Sequence, residues 1–180
     1  MSEQVTTKEE IISKTKEAII DEAKRIEENC LYTAKGHFAA AQFWTNFRLG
    51  VGIPMAVLSA IAGTSALAKF DYHNIVAAIL SIIVAALAGI TTFLNPNEKA
   101  NAHLNSGNNY DSLQSKTRIF WTIDCWRDNS EQVLTDKLKD LSDERDKLNR
   151  GSPQVPTWAY KKARKGIKEG EADYKVDKGK

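Results

Sequence analysis

The sequence predicts an all-α integral membrane protein, in which a transmembrane hairpin of two helices lies between long cytoplasmic helices at both termini. Residues 49–68 and 75–94 form two apolar stretches without Asp, Glu, Lys, Arg or His. Each is as long as an α-helix must be to cross about 30 Å of hydrocarbon. A soluble helix of this length needs a polar face for water. Two transmembrane helices are therefore a better interpretation than a hairpin buried in a larger soluble assembly.

The remainder of the chain is strongly charged. Charged side chains make up 27% of the 180 residues, and all of them lie outside the two apolar stretches. The N-terminus is polar and has no cleavable signal pattern, so we expect the first span to act as its own insertion signal. Cys30 and Cys125 have no CxxC or metal-ligand spacing, and we expect both thiols to be reduced in the cytosol.

The orientation follows from the lengths and charges of the connecting segments. Residues 69–74 are too few to fold alone, so both flanking regions lie on the same side of the membrane. Lys and Arg near the outer ends of the spans outnumber the single Lys of the loop, and these outer residues are Lys35, Arg48, Lys99, Lys116 and Arg118. The positive-inside rule therefore places both termini of this multi-pass membrane protein in the cytoplasm.

The N-terminal region, residues 1–48, is predicted to be a helix that continues into the first span. Apolar residues recur there at heptad-like spacings of seven, four, three and four, namely Ile12, Ile19, Ala23, Ile26 and Cys30. Gly36 is the most probable weak point of this helix. Trp44 and Arg48 precede the span and are predicted to anchor its cytoplasmic end, because aromatic and basic side chains favour the membrane interface.

Residues 95–150 are predicted to form further cytoplasmic helices. Asn95, Pro96 and Glu98 fit a helix N-cap, first position and capping-box position, and Lys99 is a third interface anchor. Residues 106–109, Ser-Gly-Asn-Asn, are expected to break or bend this helix. Leucines then repeat at intervals of four, three and seven, at Leu134, Leu138, Leu141 and Leu148. These leucines could pack against the N-terminal helix, within one chain or between chains.

The C-terminal tail, residues 151–180, begins with the sequence Gly-Ser-Pro-Gln-Val-Pro, which is expected to end the preceding helix. It then carries a basic cluster, which includes Lys161, Lys162, Arg164 and Lys165. The cluster is short and acidic residues follow it, so contact with anionic lipid head groups or with a partner, or simply a solvated helix face, is favoured over nucleic-acid binding.

No motif for catalysis, metal binding or a cofactor occurs in the sequence. Phosphate-binding, dinucleotide-binding, zinc-protease and serine-hydrolase patterns are all missing. His37, His73 and His103 are isolated along the chain. The two spans contain no ionisable residue, which argues against active transport. We therefore expect a protein that is not an enzyme.

Small residues recur along both spans and are the candidate packing or pore-lining positions. In the first span these are Gly52, Ala56, Ser59, Gly63 and Thr64, and in the second they are Ala78, Ser81, Ala85 and Gly89. Small residues let helix backbones approach closely in lipid. The two spans have more small-residue faces than one hairpin needs, so a homo-oligomer is predicted. The first span is the less apolar one and is expected to face a pore.

The layout resembles a known family. The residues that carry the resemblance are Phe43-Trp44 and Arg48 before the first span, Thr91-Thr92-Phe93-Leu94-Asn95-Pro96 at the end of the second, His103 and Tyr110-Asp111-Ser112-Leu113 beyond it, and the tail from Pro153 to Ile167. The sequence is similar to the SLATT domain, the SMODS- and SLOG-associating two-transmembrane effector domain of prokaryotic conflict systems.

The resemblance implies a membrane effector that forms pores in the bacterial inner (cell) membrane and causes cell suicide or dormancy. It also implies a separate partner that senses a nucleotide or another invasion signal and licenses the effector. Two other functions fit the same sequence. The hairpin could be a passive anchor or scaffold that recruits a cytoplasmic partner, or it could form a channel that is always open.

Overall fold

The chain folds almost entirely as α-helix. The structure is a computed structural model and describes residues 2–68 and 71–174, with side chains from residue 14 onward. Its elements are α1 (Ser2–Leu67), α2 (His73–Leu94), α3 (Pro96–Thr122), a short 3-10 helix (Asp124–Trp126), α4 (Glu131–Gly151) and α5 (Thr157–Lys168). These described ranges contain no strand, and the predicted all-α class is confirmed.

The helices divide into two compact units. The helical unit comprises the chain up to Ala39 and again from His103 onward, and the apolar unit comprises Ala40–Ala102. The apolar unit thus contains the second part of α1, all of α2 and the first turns of α3. The helical unit contains the remaining parts of α1 and α3, together with α4 and α5.

Helix α1 is continuous from Ser2 to Leu67, as predicted. Gly36 does not interrupt the helix. Its lack of a side chain instead permits a close contact with Val155. A Cβ atom at this position would lie 2.8 Å from Cγ1 of Val155, which is inside van der Waals contact. Pro54 is also accommodated within the helix.

The beginning of α3 matches the predicted capping pattern. Asn95 has a φ of 44° and follows α2 directly, with its N–H donating to the Thr91 carbonyl at 3.0 Å. The Glu98 N–H donates to Asn95 Oδ1 at 3.4 Å, and the Asn95 amide donates in turn to the Glu98 carboxylate. This reciprocal pair stabilises the first turn, and Pro96 occupies the first helical position.

The predicted break at residues 106–109 is wrong. Helix α3 is unbroken from Pro96 to Thr122, and both Ser106 and Gly107 are buried. A Cβ atom at Gly107 would lie 2.6 Å from Cε1 of Phe38 on α1. The glycine therefore permits α1 and α3 to approach closely, and it does not end the helix.

The core of the helical unit combines α1, α3 and α4. Its buried members include Ile19, Ala23, Ile26 and Cys30 from α1, Tyr110, Leu113 and Phe120 from α3, and Leu134 and Leu141 from α4. The predicted packing of the leucine repeat against the N-terminal helix is confirmed within one chain. Ile12 lies outside the described side chains. An ion pair between Lys116 and Glu144, 2.7 Å long, also joins α3 to α4.

Helix α4 ends at Gly151, at the start of the predicted breaking segment. Helix α5 begins six residues later and buries one narrow face of small residues, Ala159, Ala163 and Gly166. Because these residues recur at intervals of four and three, they form one stripe on the helix. The opposite face of α5 remains exposed.

Candidate functional site

The apolar stretches of α1 and α2, residues 49–68 and 75–94, expose most of their large apolar side chains. By length and composition, one window in Lys14–Leu67 and one in His73–Trp126 could cross a membrane, and only 11% and 0% of these windows are buried. The exposed side chains include Ile53, Val57, Ile61, Ile79, Ile82, Ile83 and Ile90. A continuous apolar surface of this kind indicates contact with lipid or with other helices.

The predicted packing or pore-lining residues lie on exposed faces of α1 and α2. Exposed positions are Ala56, Ser59, Gly63, Thr64, Ala78, Ser81, Ala85 and Gly89, while Gly52 is half-buried. A Cβ atom added at Gly52, Gly63 or Gly89 would meet no other atom within 4 Å. Within the two apolar stretches, the buried positions are instead Ala62, Ser65 and Ala77.

The two hydroxyl groups on the α1 face already have hydrogen-bond acceptors within their own helix. Ser59 donates to the Met55 carbonyl at 2.8 Å, and Thr64 donates to the Ala60 carbonyl at 3.0 Å. A hydroxyl that is satisfied in this way carries a smaller penalty in an apolar environment. At these two positions the α1 face can therefore meet lipid, another helix or water without leaving the hydroxyl unpaired.

The three predicted anchors lie together in the apolar unit. The ammonium of Lys99 lies 4.5 Å from the centre of the Trp44 ring, which is a cation–π contact. Arg48 donates through Nη1 to Oδ1 of Asn97 at 3.0 Å. These two contacts join α1 to the first turn of α3, so the residues that were predicted to mark the membrane boundary also hold the two helices together.

The predicted basic cluster forms the exposed face of α5. Lys161, Lys162, Arg164 and Lys165 are all exposed, and Lys165 forms a 3.7 Å ion pair with Glu169. Because the small residues of α5 face the helical unit, the cations point to solvent on one side of the helix. This arrangement can bind an anionic surface.

A cavity of about 530 Å³ lies in the helical unit between α1, α3 and the segment after α5. The Glu27 carboxylate accepts a 3.0 Å hydrogen bond from Gln114 and another from the Trp121 indole. The Arg118 guanidinium lies 4.2 Å from the centre of the Tyr174 ring. The Glu27 hydrogen bonds join α1 to α3, and the contact between Arg118 and Tyr174 joins the segment after α5 to α3. The described side chains contain no group of three or more metal-ligating residues.

The interpretation of the histidines as isolated is wrong for two of them. Nδ1 of His37 on α1 lies 2.9 Å from Nδ1 of His103 on α3, and both side chains are buried, with 1% and 6% exposure. The Tyr110 ring stacks on His37 with centroids 5.6 Å apart and donates its hydroxyl to Asn149 at 2.7 Å. His37 is seven residues after the core residue Cys30, and His103 is seven before Tyr110. Extending the heptad pattern would therefore have placed both on the buried faces.

Burial keeps these groups uncharged near neutral pH. The pKa of His37 is lowered to about 4, first by burial and then by the charge of His103, and burial also lowers the pKa of His103. Burial raises the pKa of the Cys30 thiol to about 12 and also raises that of Cys125. Both cysteines are free, as expected, and such thiols are weak nucleophiles.

The fold and these surfaces define an all-helical protein with two apolar helices long enough to cross a membrane. The chain belongs to the SMODS and SLOG-associating 2TM effector domain family 4, whose model matches residues 17–178. The resemblance to the SLATT domain is thereby confirmed. This is a family of membrane effector domains associated with conflict systems, and it is not a known enzyme family. Comparison with curated proteins and with solved structures gave no significant match.

Proposed function

We propose that the chain is an oligomeric pore-forming effector that permeabilises the bacterial inner membrane and causes cell suicide or dormancy. A partner of its conflict system licenses this activity. The observation that carries the proposal is the exposure of both small-residue faces on α1 and α2, next to large apolar side chains that are equally exposed. One chain leaves these faces uncovered, and copies of the chain can cover them.

The two kinds of surface have different expected neighbours. The isoleucines of α2 favour lipid, whereas the small residues of α1 favour close contact with another helix. The hydroxyls of Ser59 and Thr64 are bonded within α1. An assembly with α1 inward therefore has a weakly polar, uncharged pore.

The proposed topology is a hairpin with both termini in the cytoplasm. Trp44, Arg48 and Lys99 lie at the cytoplasmic boundary, where aromatic and basic residues are favoured. The exposed cations of α5 bind anionic head groups of the same leaflet or a partner protein. The licensing partner is a nucleotide-sensing or other conflict-system protein, because the family is associated with such systems.

Membrane permeability in bacteria that express the chain tests the proposal. Wild type, with the neighbouring conflict-system proteins present, is expected to depolarise the membrane and release dye. Gly63→Leu places a large side chain on the small-residue face, so it is expected to abolish leakage at equal membrane abundance. Ile61→Leu is the matched control on the same helix, because it conserves volume at an exposed apolar position.

Three outcomes contradict the proposal. Equal leakage from Gly63→Leu and Ile61→Leu would exclude this face from the pore. Absence of depolarisation with every neighbouring protein present would favour the alternative function, a membrane anchor or scaffold that recruits a cytoplasmic partner. Leakage at neutral pH in the absence of any partner would instead identify a channel that is always open.

A further inference from the structure

The histidine pair lies close to the ends of the two sequence segments that make up the helical unit. The first segment ends at Ala39 and the second begins at His103. His37 lies on the same unbroken helix as the first apolar stretch, and His103 lies on the helix that begins directly after α2. A contact between these two side chains therefore joins the two helices that lead to the apolar stretches.

The geometry of the pair depends on its protons. At 2.9 Å between the two Nδ1 atoms, one ring must donate an N–H and the other must accept with a lone pair. With both rings protonated, two N–H groups would point at each other and the hydrogen bond would be lost. With one ring protonated, the bond remains, but a charge is left in a site with 1% and 6% exposure.

The groups around the pair do not offset such a charge. The charge that acts on His37 is that of His103, and it is repulsive. Tyr110 from α3 stacks on His37 and is bonded to Asn149 of α4. The groups that act on Tyr110 are the Cys30 thiol of α1, Arg145 of α4 and the Ser152 hydroxyl. None of these is a carboxylate.

We propose that His37 and His103 form a proton-sensing latch, which holds α1 against α3 while both rings are neutral and releases them when the cytoplasm acidifies. The latch consists of these two side chains and the Tyr110 ring that covers His37. Its consequence for the membrane rests on the proposed function, because release of α1 and α3 alters the helices that continue into the spans. Acidification is then an activating signal for the effector.

The direction of the pH effect follows from the lowered pKa. An unfolded histidine titrates near pH 6.5, whereas His37 titrates near 4 in the folded chain. The unfolded chain therefore binds more protons between these values, and stability is lost as the pH falls through this range. The contribution is fully present above about pH 6.5.

The test is thermal unfolding of the full chain in detergent at pH 7.5 and 5.5. From the His37 shift, the wild-type midpoint is expected to fall by about 3–6 °C more than that of the double variant His37→Asn, His103→Asn. The two amides can keep a hydrogen bond at the Nδ1 positions but cannot titrate. His73→Asn removes the third histidine, outside the pair, and is expected to behave like wild type.

A measurement on the wild type keeps the test decisive if the double variant does not fold. The imidazole signals of isotope-labelled protein are expected to show one histidine with a pKa well below 6.5 and a second below its ordinary value. Ordinary titration of all three histidines would overturn the latch. An equal loss of midpoint in wild type and double variant would also overturn it.

Leakage from liposomes separates the latch from the proposed function. Wild type is expected to leak faster at pH 5.5 than at pH 7.5, and the double variant is expected to leak equally at both. If wild type leaks at neither pH, acidification alone does not open the pore and the activating role of the latch is overturned, while the unfolding and titration results still decide the latch itself. If wild type leaks equally at both, the activating role of the latch is overturned.

Discussion

Single residues at the contact between α1 and α3 determine how closely these helices approach. Gly107 lies inside α3, yet the position a Cβ atom would take there is only 2.6 Å from the Phe38 ring. Gly50, inside α1, has no neighbour within 4 Å of the same position. Both glycines lie inside helices, but only at Gly107 would an added Cβ atom meet a neighbouring side chain.

Gly107→Ala is expected to destabilise the chain. Overpacking costs about 1–3 kcal/mol, and the better helix propensity of Ala returns about 1 kcal/mol, so a net loss of up to about 2 kcal/mol is expected in denaturant unfolding. The control, Gly50→Ala, should leave the stability unchanged or raise it by up to about 1 kcal/mol. Equal effects of both substitutions on the free energy of unfolding would show that the close contact with Phe38 does not affect stability.

At the scale of the helix, α5 divides its side chains between two surfaces. Ala159, Ala163 and Gly166 are buried in the helical unit, and the basic residues are exposed. The helix is therefore a rigid support for a row of cations. Its proposed role in binding lipid head groups can be separated from the net charge of the chain, because α4 also has exposed cations.

Replacing Lys161, Lys162, Arg164 and Lys165 by Ala is expected to weaken binding of the chain to vesicles that contain anionic lipid. Each juxtamembrane cation contributes about 1 kcal/mol near such a surface. The control replaces four exposed cations of α4, Lys137, Lys139, Lys147 and Arg150, and should keep the affinity nearer to wild type. The same loss in both variants, or no salt dependence, would exclude a specific role for α5.

At the scale of the whole molecule, the proposed topology places the short connection between α1 and α2 outside the cell and both termini in the cytoplasm. Asn74 lies at the start of α2 and Asp128 follows the short 3-10 helix, and both are exposed. The native cysteines are free but buried. A cysteine introduced at either position is therefore the one that reacts.

Asn74→Cys is expected to react with a membrane-impermeant maleimide added outside intact spheroplasts. Asp128→Cys is expected to react only after the membrane is opened, because the helical unit lies in the cytoplasm in the proposed topology. Wild type, with its buried thiols of raised pKa, measures the background. Labelling of Asp128→Cys alone from outside would show that the topology is the reverse of the proposed one. Labelling of both positions from outside would exclude a hairpin.

Much of the fold could be predicted because it depends on local composition and spacing. Asn95, Pro96 and Glu98 form a capping pattern of adjacent residues, and the helix begins there. The leucine repeat of α4 and the apolar stripe of α1 are periodic, so their burial follows from helix geometry. The faces of small residues could also be identified from their spacing, but the sequence of one chain does not determine which neighbours cover these faces in an assembly.

By itself, the sequence determined the all-α class, the two apolar stretches and the resemblance to the SLATT domain, because each is encoded by neighbouring residues. Only the tertiary structure decided that His37 and His103 meet, that Gly107 continues α3, and that Ala62 and Ala77 are buried while Gly63 is exposed. Contacts between distant segments decide these features. Their outcome depends on which helix faces meet, and no local pattern specifies it.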